Sequence, residues 1–170
     1  SLAPSRVRDL VTDTSLTSNF AADYSTVVSR SIGAAATINT AFTQASVTSV
    51  ATAPAYTNPL TQRVETNTLA LQLQTVAKMV AASETLGVKR QVFFVSLGGW
   101  DTHDFQNTTQ PNLLAKVAQA LSYFDGALAN VGGIDRRAQV TTFTASDFSR
   151  TITTNGDGTD HAWGGHHFIM

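Results

Sequence analysis

Residues 92–103 read Val-Phe-Phe-Val-Ser-Leu-Gly-Gly-Trp-Asp-Thr-His. The first half is a β-branched and aromatic run, which is typical of a strand in a protein interior. The glycine pair Gly98-Gly99 then breaks the run, and the segment ends on Asp101 and His103, which are separated by one residue. The segment therefore predicts a buried strand that presents polar side chains at its C-terminal end.

A strand–helix–strand unit is predicted around this segment. Residues 91–97 are apolar almost without alternation, which indicates burial on both faces, as in a parallel sheet covered by helices. A helix is predicted to start near Pro111, and residues 138–144 form the next strand, followed by Asp147. A right-handed crossover would bring the carboxyl ends of both strands to one edge of the sheet, where sites collect. We therefore expect Asp147 to approach the polar residues of the first strand.

The first half of the chain is predicted to be mainly helical. Apolar residues keep helical spacing over residues 16–44 and 60–86, and residues 46–59 read as an irregular connector rather than a substrate lid. The fold class predicted is α/β, a three-layer α/β/α sandwich with a mostly parallel sheet. Residues 1–88 would supply mainly helices, and residues 89–170 the strand–helix–strand unit and the site loops of one domain.

Composition excludes several classes of function. The chain has 170 residues, 42% of them hydrophobic and 14% charged, with a net charge of −1. Without a basic stripe there is no electrostatic case for binding nucleic acid. No apolar run approaches the ~18 residues of a membrane span, and residues 1–20 lack a signal-peptide core. The absence of cysteine excludes disulfides and thiolate metal sites.

The four histidines all lie in the second half, in turns rich in Asp and Gly. Imidazole and carboxylate together suit a divalent metal, with zinc, manganese, iron or calcium left open. The predicted ligands are Asp101, His103, Asp147, Asp160, His161 and His166.

Two further motifs have alternative interpretations. The guanidinium of Arg150 can donate two parallel hydrogen bonds, which suits phosphate, sulfate or carboxylate. We predict that Arg150 stabilises the anion of a substrate. A salt bridge to Asp147 or Asp157 is an equal alternative. Residues 155–160 superficially resemble a calcium loop, but they lack its glycine spacing and final Glu, which favours a glycine-rich turn that presents Asp160. No Gly-x-Ser-x-Gly elbow, P-loop or dinucleotide fingerprint is present.

Three motifs occur in order at residues 98–103, 146–151 and 155–168. Together they resemble a widespread bacterial family of uncharacterised, typically twin-arginine-exported proteins, related to the alkaline phosphatase and sulfatase superfamily. The resemblance implies an α/β/α sandwich, a periplasmic or extracellular location and a metal site at the strand ends. By the same resemblance, Asp101 and His103 look like the first Asp/His metal pair of the superfamily, Asp147 like the strand-end carboxylate and His161 like a later ligand. Asp160, His166 and His167 are conceivable ligands or groups that support the ligands.

Two features depart from the superfamily pattern. Ser149 and Ala162 stand where that family is expected to have glycine. In addition, no strand before residue 90 carries an Asp ligand with a Ser, Thr or Cys nucleophile. Either such a strand lies upstream of Ser1, or this family lacks it; we expect the chain to be a fragment of a larger domain.

The function predicted is an exported metal-dependent hydrolase that acts on a small anionic substrate, a phosphate or sulfate ester. One alternative is a non-catalytic exported protein that keeps the fold for binding or surface assembly. Another, weaker alternative is a purely structural metal site that joins the loops.

Overall fold

A computed structural model describes residues 4–15 and 17–170 of the chain. The described residues form a mixed, mainly helical structure. The α-helices are α1 (Pro4–Val11), α2 (Asn19–Ala41), α3 (Ala45–Thr48), α4 (Thr68–Ala82) and α5 (Gln106–Leu128), and a 3-10 turn covers Arg137–Gln139. The strands are β1 (Tyr56–Thr57), β2 (Val64–Glu65), β3 (Ser149–Arg150) and β4 (His161–Ala162). They pair antiparallel as β1 with β2 and β3 with β4.

Helices α4 and α5 form the core. The apolar stripe predicted for the second helix is largely buried on α4, and it packs with Phe124 and Leu128 of α5. Asn67 caps α4 by accepting a hydrogen bond from the Ala70 N–H, and its amide donates to the Lys116 carbonyl on α5 at 2.8 Å. One buried side chain thus both starts α4 and ties it to α5.

The predicted helices are present with different limits. Helix α2 runs without a break through Gly33. The helix was predicted from Leu16 onward, and Leu16 lies outside the described residues, as do residues 1–3 of the predicted domain. Helix α4 begins at Thr68 rather than residue 60, because the chain before it forms β2 and the Asn67 cap. Helix α5 begins five residues before Pro111, which lies inside it.

The connector at residues 46–59 packs on the helices. Its Tyr56 is buried in β1, and the phenolic O–H donates to Asn112 Oδ1 on α5 at 2.6 Å. A buried tyrosine that satisfies its hydroxyl in this way fixes the segment. The segment is therefore an anchored connector, and it is more regular than predicted because it includes part of α3 and all of β1.

The predicted parallel sheet, and with it the three-layer α/β/α sandwich, is not formed by the described residues. Residues 91–97 make no backbone–backbone hydrogen bond to another part of the described chain; the Gln72 side chain alone bonds both the N–H and the C=O of Ser96. Val95 and Leu97 pack on the core, whereas Val92 is 100% exposed and Phe94 93% exposed. Within residues 4–15 and 17–170, the apolar run therefore has helices on one face, no second layer and no neighbouring strand.

The second predicted strand, residues 138–144, also has a different partner. Its first residues belong to the 3-10 turn, and Thr142 exchanges backbone hydrogen bonds with Met170 at 2.8 and 2.9 Å. Phe143 faces Ile169 in an antiparallel bridge. Residues 168–170 thus pair with this segment, whereas residues 91–97 do not. None of the helices in the described parts of the chain is long and apolar enough to cross a membrane.

Candidate functional site

Asp101, His103 and His161 converge at the surface. The Oδ1 atom of Asp101 lies 2.7 Å from Nε2 of His161 and 3.1 Å from Nε2 of His103. The three potential ligand atoms all lie within 4.8 Å of one another, and the side chains are open to solvent. We name these residues the Asp–His–His cluster.

The first site loop, residues 98–105, positions two members of the cluster. Gly99 has a φ of 94°, a left-handed conformation that favours glycine, so the chain can turn sharply after residues 91–97. The N–H of the buried Thr102 donates to the Trp100 carbonyl at 2.9 Å. This tight turn has Thr102 pointing inward and leaves Asp101 and His103, on either side of it, at the surface.

The second site loop, residues 154–161, brings His161 to the first. Asn155 donates through Nδ2 to the His103 carbonyl at 3.0 Å, and the Gln106 N–H donates to the Asp157 carbonyl at 3.1 Å. At Gly158 a Cβ atom would lie only 2.0 Å from the His103 carbonyl oxygen, so glycine alone permits this approach. The two loops therefore lie in direct backbone contact.

Asp160 binds the far side of His103. Its Oδ1 lies 3.1 Å from Nδ1 of His103, the ring nitrogen that does not face Asp101. Asn155 donates to the same Oδ1 at 3.1 Å. Asp160 thus contacts the cluster through Nδ1 of His103, whereas Nε2 of the same ring is the potential ligand atom.

Arg150, in β3, joins the backbones of the two site loops. Its Nη1 donates to the Thr159 carbonyl at 2.6 Å and its Nη2 to the Trp100 carbonyl at 2.5 Å. The side chain is only 16% exposed, and Nη2 lies 3.8 Å from Asp101 Oδ1. Within the described residues, Arg150 forms no salt bridge to Asp147 or Asp157. The predicted contact with a substrate anion stays a prediction.

Both carboxylates of the site are stabilised in their charged form. The hydrogen bond from His161, and then the charges of His103, His161 and Arg150, hold the pKa of Asp101 below its usual value despite some desolvation. Hydrogen bonds from His103 and Asn155 are the main causes that lower the pKa of Asp160. Both groups are therefore anions at neutral pH, as metal binding requires.

Two of the predicted ligands lie apart from the cluster. Asp147 and His166 are exposed, and in the described parts of the chain neither side chain makes a hydrogen bond or an ion pair. The grouping of potential ligands there contains Asp101, His103 and His161 without them. The expected approach of Asp147 depended on the parallel sheet, which the described residues do not form.

Sequence reasoning missed the residues that hold the cluster in place. Phe148 stacks on the His161 ring with a centroid distance of 4.3 Å and an angle of 17°. Asn155 and Gly158 were noted only as parts of a glycine-rich turn, yet they contact His103 directly. The spacing Asn-x-x-Gly before Asp-His was the available signal, since glycine permits close backbone approach and asparagine satisfies turn backbone groups.

Comparison with protein families identifies the chain. It belongs to a family described as a protein of unknown function (DUF1501), whose model matches residues 11–170. This match carries no link to alkaline phosphatases or sulfatases. Comparison with curated proteins and with solved structures gave no match.

Proposed function

We propose that this member of the DUF1501 family binds one divalent metal ion at the Asp–His–His cluster and hydrolyses phosphate or sulfate esters there. The observation that supports the proposal is the convergence of one potential ligand atom each from Asp101, His103 and His161 within 4.8 Å at the surface. Three such donors from two loops that are far apart in the sequence meet only because the loops are held in contact.

The donor set fits a divalent ion. One carboxylate and two imidazoles match the ligands of catalytic zinc, which uses three protein groups and leaves a position for water or substrate. Zinc bonds of about 2.0–2.1 Å in a tetrahedral site place ligand atoms about 3.4 Å apart. Asp101 Oδ1 lies 2.7 and 3.1 Å from the two nitrogens, so small rotations of the side chains would admit the ion. Solvent exposure supplies the open position.

Positive charge for an anionic substrate would come from Arg150 and from the ion itself. Arg150 Nη2 lies 3.8 Å from Asp101 Oδ1. A divalent ion at the cluster would offset the charges of Asp101 and Asp160. When bound, it would polarise the ester oxygen and lower the pKa of a water molecule. Phe148 and Asp160 would hold the two imidazoles in orientation while substrate binds.

We also propose that residues 91–97 are an interior strand of an α/β/α sandwich related to the alkaline phosphatase and sulfatase superfamily, in an exported protein. In support, the segment is apolar on both faces, whereas in the described part of the chain only one face packs on helices. Its backbone is bonded there only at Ser96, by a side chain. Neighbouring strands would cover Val92 and Phe94 and satisfy the free backbone groups. The order of the three motifs supports the superfamily.

A second candidate function is non-catalytic binding or surface assembly by an exported protein. The observation that favours it is the exposed apolar surface of residues 92–94, since large exposed apolar patches mark interaction surfaces. In that case the protein would bind metal or partner without turnover.

Metal analysis combined with turnover separates these functions. The purified chain, and a longer chain if the gene encodes one, would be loaded with Zn²⁺ or Mn²⁺ and assayed on aryl phosphates and aryl sulfates. We expect one ion per chain and turnover that is lost in Asp101→Asn and His161→Ala, and retained in Asp104→Asn, which removes a neighbouring exposed carboxylate. Folded protein that holds the ion without turnover would support the second candidate. Turnover unaffected by Asp101→Asn would contradict the proposed site.

The same assay tests the wider predicted ligand set. Asp147→Asn and His166→Ala would be compared with His161→Ala. If either causes an equal loss of bound metal, the ligand set extends beyond the Asp–His–His cluster.

A further inference from the structure

We infer that Asp160 is a positioning residue rather than a metal ligand: it holds the His103 ring so that Nε2 faces the metal position. The expected effect of Asp160 on metal affinity rests on the proposed function. The hydrogen bond between Asp160 and His103 can be tested without metal. The neutral imidazole has one nitrogen that carries a proton and one with a free lone pair, so the partner of one nitrogen decides what the other can do.

The geometry separates the two nitrogens of His103 cleanly. Nδ1 lies 3.1 Å from Asp160 Oδ1, and Nε2 lies 3.1 Å from Asp101 Oδ1. The two ring nitrogens point in diverging directions, so the carboxylate oxygen bonded at Nδ1 is turned away from an ion at Nε2. A proton on Nδ1 that is donated to Asp160 leaves the Nε2 lone pair for the metal. This is the arrangement in which a carboxylate orients a metal-binding histidine.

Asp160 is itself fixed before any ion binds. Asn155 Nδ2 donates both to Asp160 Oδ1 at 3.1 Å and to the His103 carbonyl at 3.0 Å, and Asn155 Oδ1 accepts from the Gly158 N–H at 3.0 Å. One amide therefore connects the carboxylate to the backbone of the histidine that it orients. The Asp160 oxygen has little freedom to swing toward the other side of the ring.

His161 is oriented by a different device. Its Nε2 faces Asp101 at 2.7 Å, and its ring stacks on Phe148 rather than bonding a second carboxylate. The two histidines of the cluster thus differ: the loss of Asp160 should affect His103 directly, and His161 only through its ring contact with His103 at 4.8 Å. This difference gives the inference an internal control.

The first test is nitrogen-15 NMR of the histidine side chains in metal-free protein. We expect the His103 Nδ1 to carry a proton hydrogen-bonded to Asp160 in the wild type and in Asp104→Asn. Asp160→Ala should lose this signature while the His161 signals keep theirs. A wild-type His103 with its proton on Nε2 only, or an unchanged His103 spectrum in Asp160→Ala, would overturn the inference whether or not the protein binds metal.

The second test is the affinity for Zn²⁺ in the same variants. Removal of a carboxylate that supports a metal-binding histidine costs about 10–100-fold in affinity. We expect this loss in Asp160→Ala and a smaller one in Asp160→Asn, because the amide oxygen can still accept from Nδ1–H. Asp104→Asn, which removes the same charge from the residue next to His103, should bind as the wild type does.

The outcomes distinguish the inference from the proposed function. Loss of binding in Asp160→Asn as complete as in Asp101→Asn would make Asp160 a ligand and overturn the inference. Equal losses in Asp160→Asn and Asp104→Asn would assign the effect to charge alone, which also overturns it. Wild-type protein that binds no Zn²⁺ would contradict the proposed function, and the NMR experiment would then decide the role of Asp160. Circular dichroism of each variant confirms that the helices are intact.

Discussion

The α4–α5 core and the two site loops are held together by different forces. In the core, apolar side chains such as Leu73 and Phe124 are buried between two helices. In the site loops, Arg150 and Asn155 bridge backbone carbonyls and a carboxylate, and the residues that carry the chemistry remain in solvent. The core depends on burial of apolar area, whereas the geometry of the site depends on a few directional hydrogen bonds.

This difference predicts that mutations separate the two regions. Burial supports global stability, because each large apolar side chain removed from a core leaves a cavity. Directional hydrogen bonds fix the positions of ligands, so their loss should weaken metal binding while the helices stay folded.

The largest effect is expected from Phe124→Ala. Phe124 is 1% exposed at the centre of the core, and truncation of such a residue costs about 3–5 kcal/mol of unfolding free energy. Urea denaturation measures the change, and Leu114→Ala, on an exposed position of α5, is the matched control with an expected change within about 0.5 kcal/mol. A small loss for Phe124→Ala would mean that the helices are not packed as described.

Gly158→Ala should act on the site and spare the core. Its new Cβ would lie 2.0 Å from the His103 carbonyl oxygen, so the loops must separate and Zn²⁺ affinity should fall by about 10–100-fold. Gly98→Ala is the control, because no atom lies within 4 Å of the added methyl group. Calorimetric titration gives the affinities, and unchanged binding in Gly158→Ala would show that loop contact does not set the ligand geometry.

Arg150→Lys is expected to have a smaller effect, about tenfold in Zn²⁺ affinity. Lysine keeps the charge but cannot span the Trp100 and Thr159 carbonyls, which the Arg150 guanidinium bonds at 2.5 and 2.6 Å. Arg137→Lys, at a surface ion pair with Asp135, serves as the control. If Arg150 acted through charge alone, the lysine variant would bind metal as the wild type does.

The smallest effect concerns the surface ion pair between Asp135 and Arg137. Hydrogen bonds from Arg137 lower the pKa of Asp135 from 3.8 to about 2. A lowered pKa means that the pair stabilises the fold above pH 3.8, and that this contribution is lost as the pH falls toward 2. Denaturation midpoints of the wild type and Asp135→Asn should therefore differ slightly near neutral pH and converge near pH 2. A difference that stays constant over this range would exclude the ion pair as its cause.

The sequence allowed the helices to be predicted because their signals are local. The spacing of Leu69, Leu73 and Val76 defines one face of α4, and that face is the buried one. The ends of the helices were predicted less accurately than the helices themselves. The start of α4 depends on the cap at Asn67 and on pairing in β2, and the start of α5 does not coincide with Pro111. Such limits are set by tertiary contacts, which periodicity does not contain.

The described residues do not form the predicted parallel sheet, because a strand signal does not identify its partner. The run at residues 92–95 has the composition of a strand buried on both faces, yet two of its residues are almost fully exposed. Residues 142–144 pair instead with the last residues of the chain. At the site, proximity of Asp and His in the sequence indicated that Asp101 and His103 would act together, whereas the bridge that Arg150 makes between loops left no sequence signal.

Calorimetric titration of the metal-free protein with Zn²⁺, beside Asp101→Asn, His161→Ala and the Asp104→Asn control, tests the proposed Asp–His–His metal site directly. Asp101 Oδ1 lies between the two histidines, at 2.7 and 3.1 Å from their Nε2 atoms, so its removal should have the greatest effect. We predict one Zn²⁺ per chain in the wild type and in Asp104→Asn, and no measurable binding in Asp101→Asn or His161→Ala. Absence of binding in the wild type, or equal binding in all four proteins, would contradict a metal site at Asp101, His103 and His161.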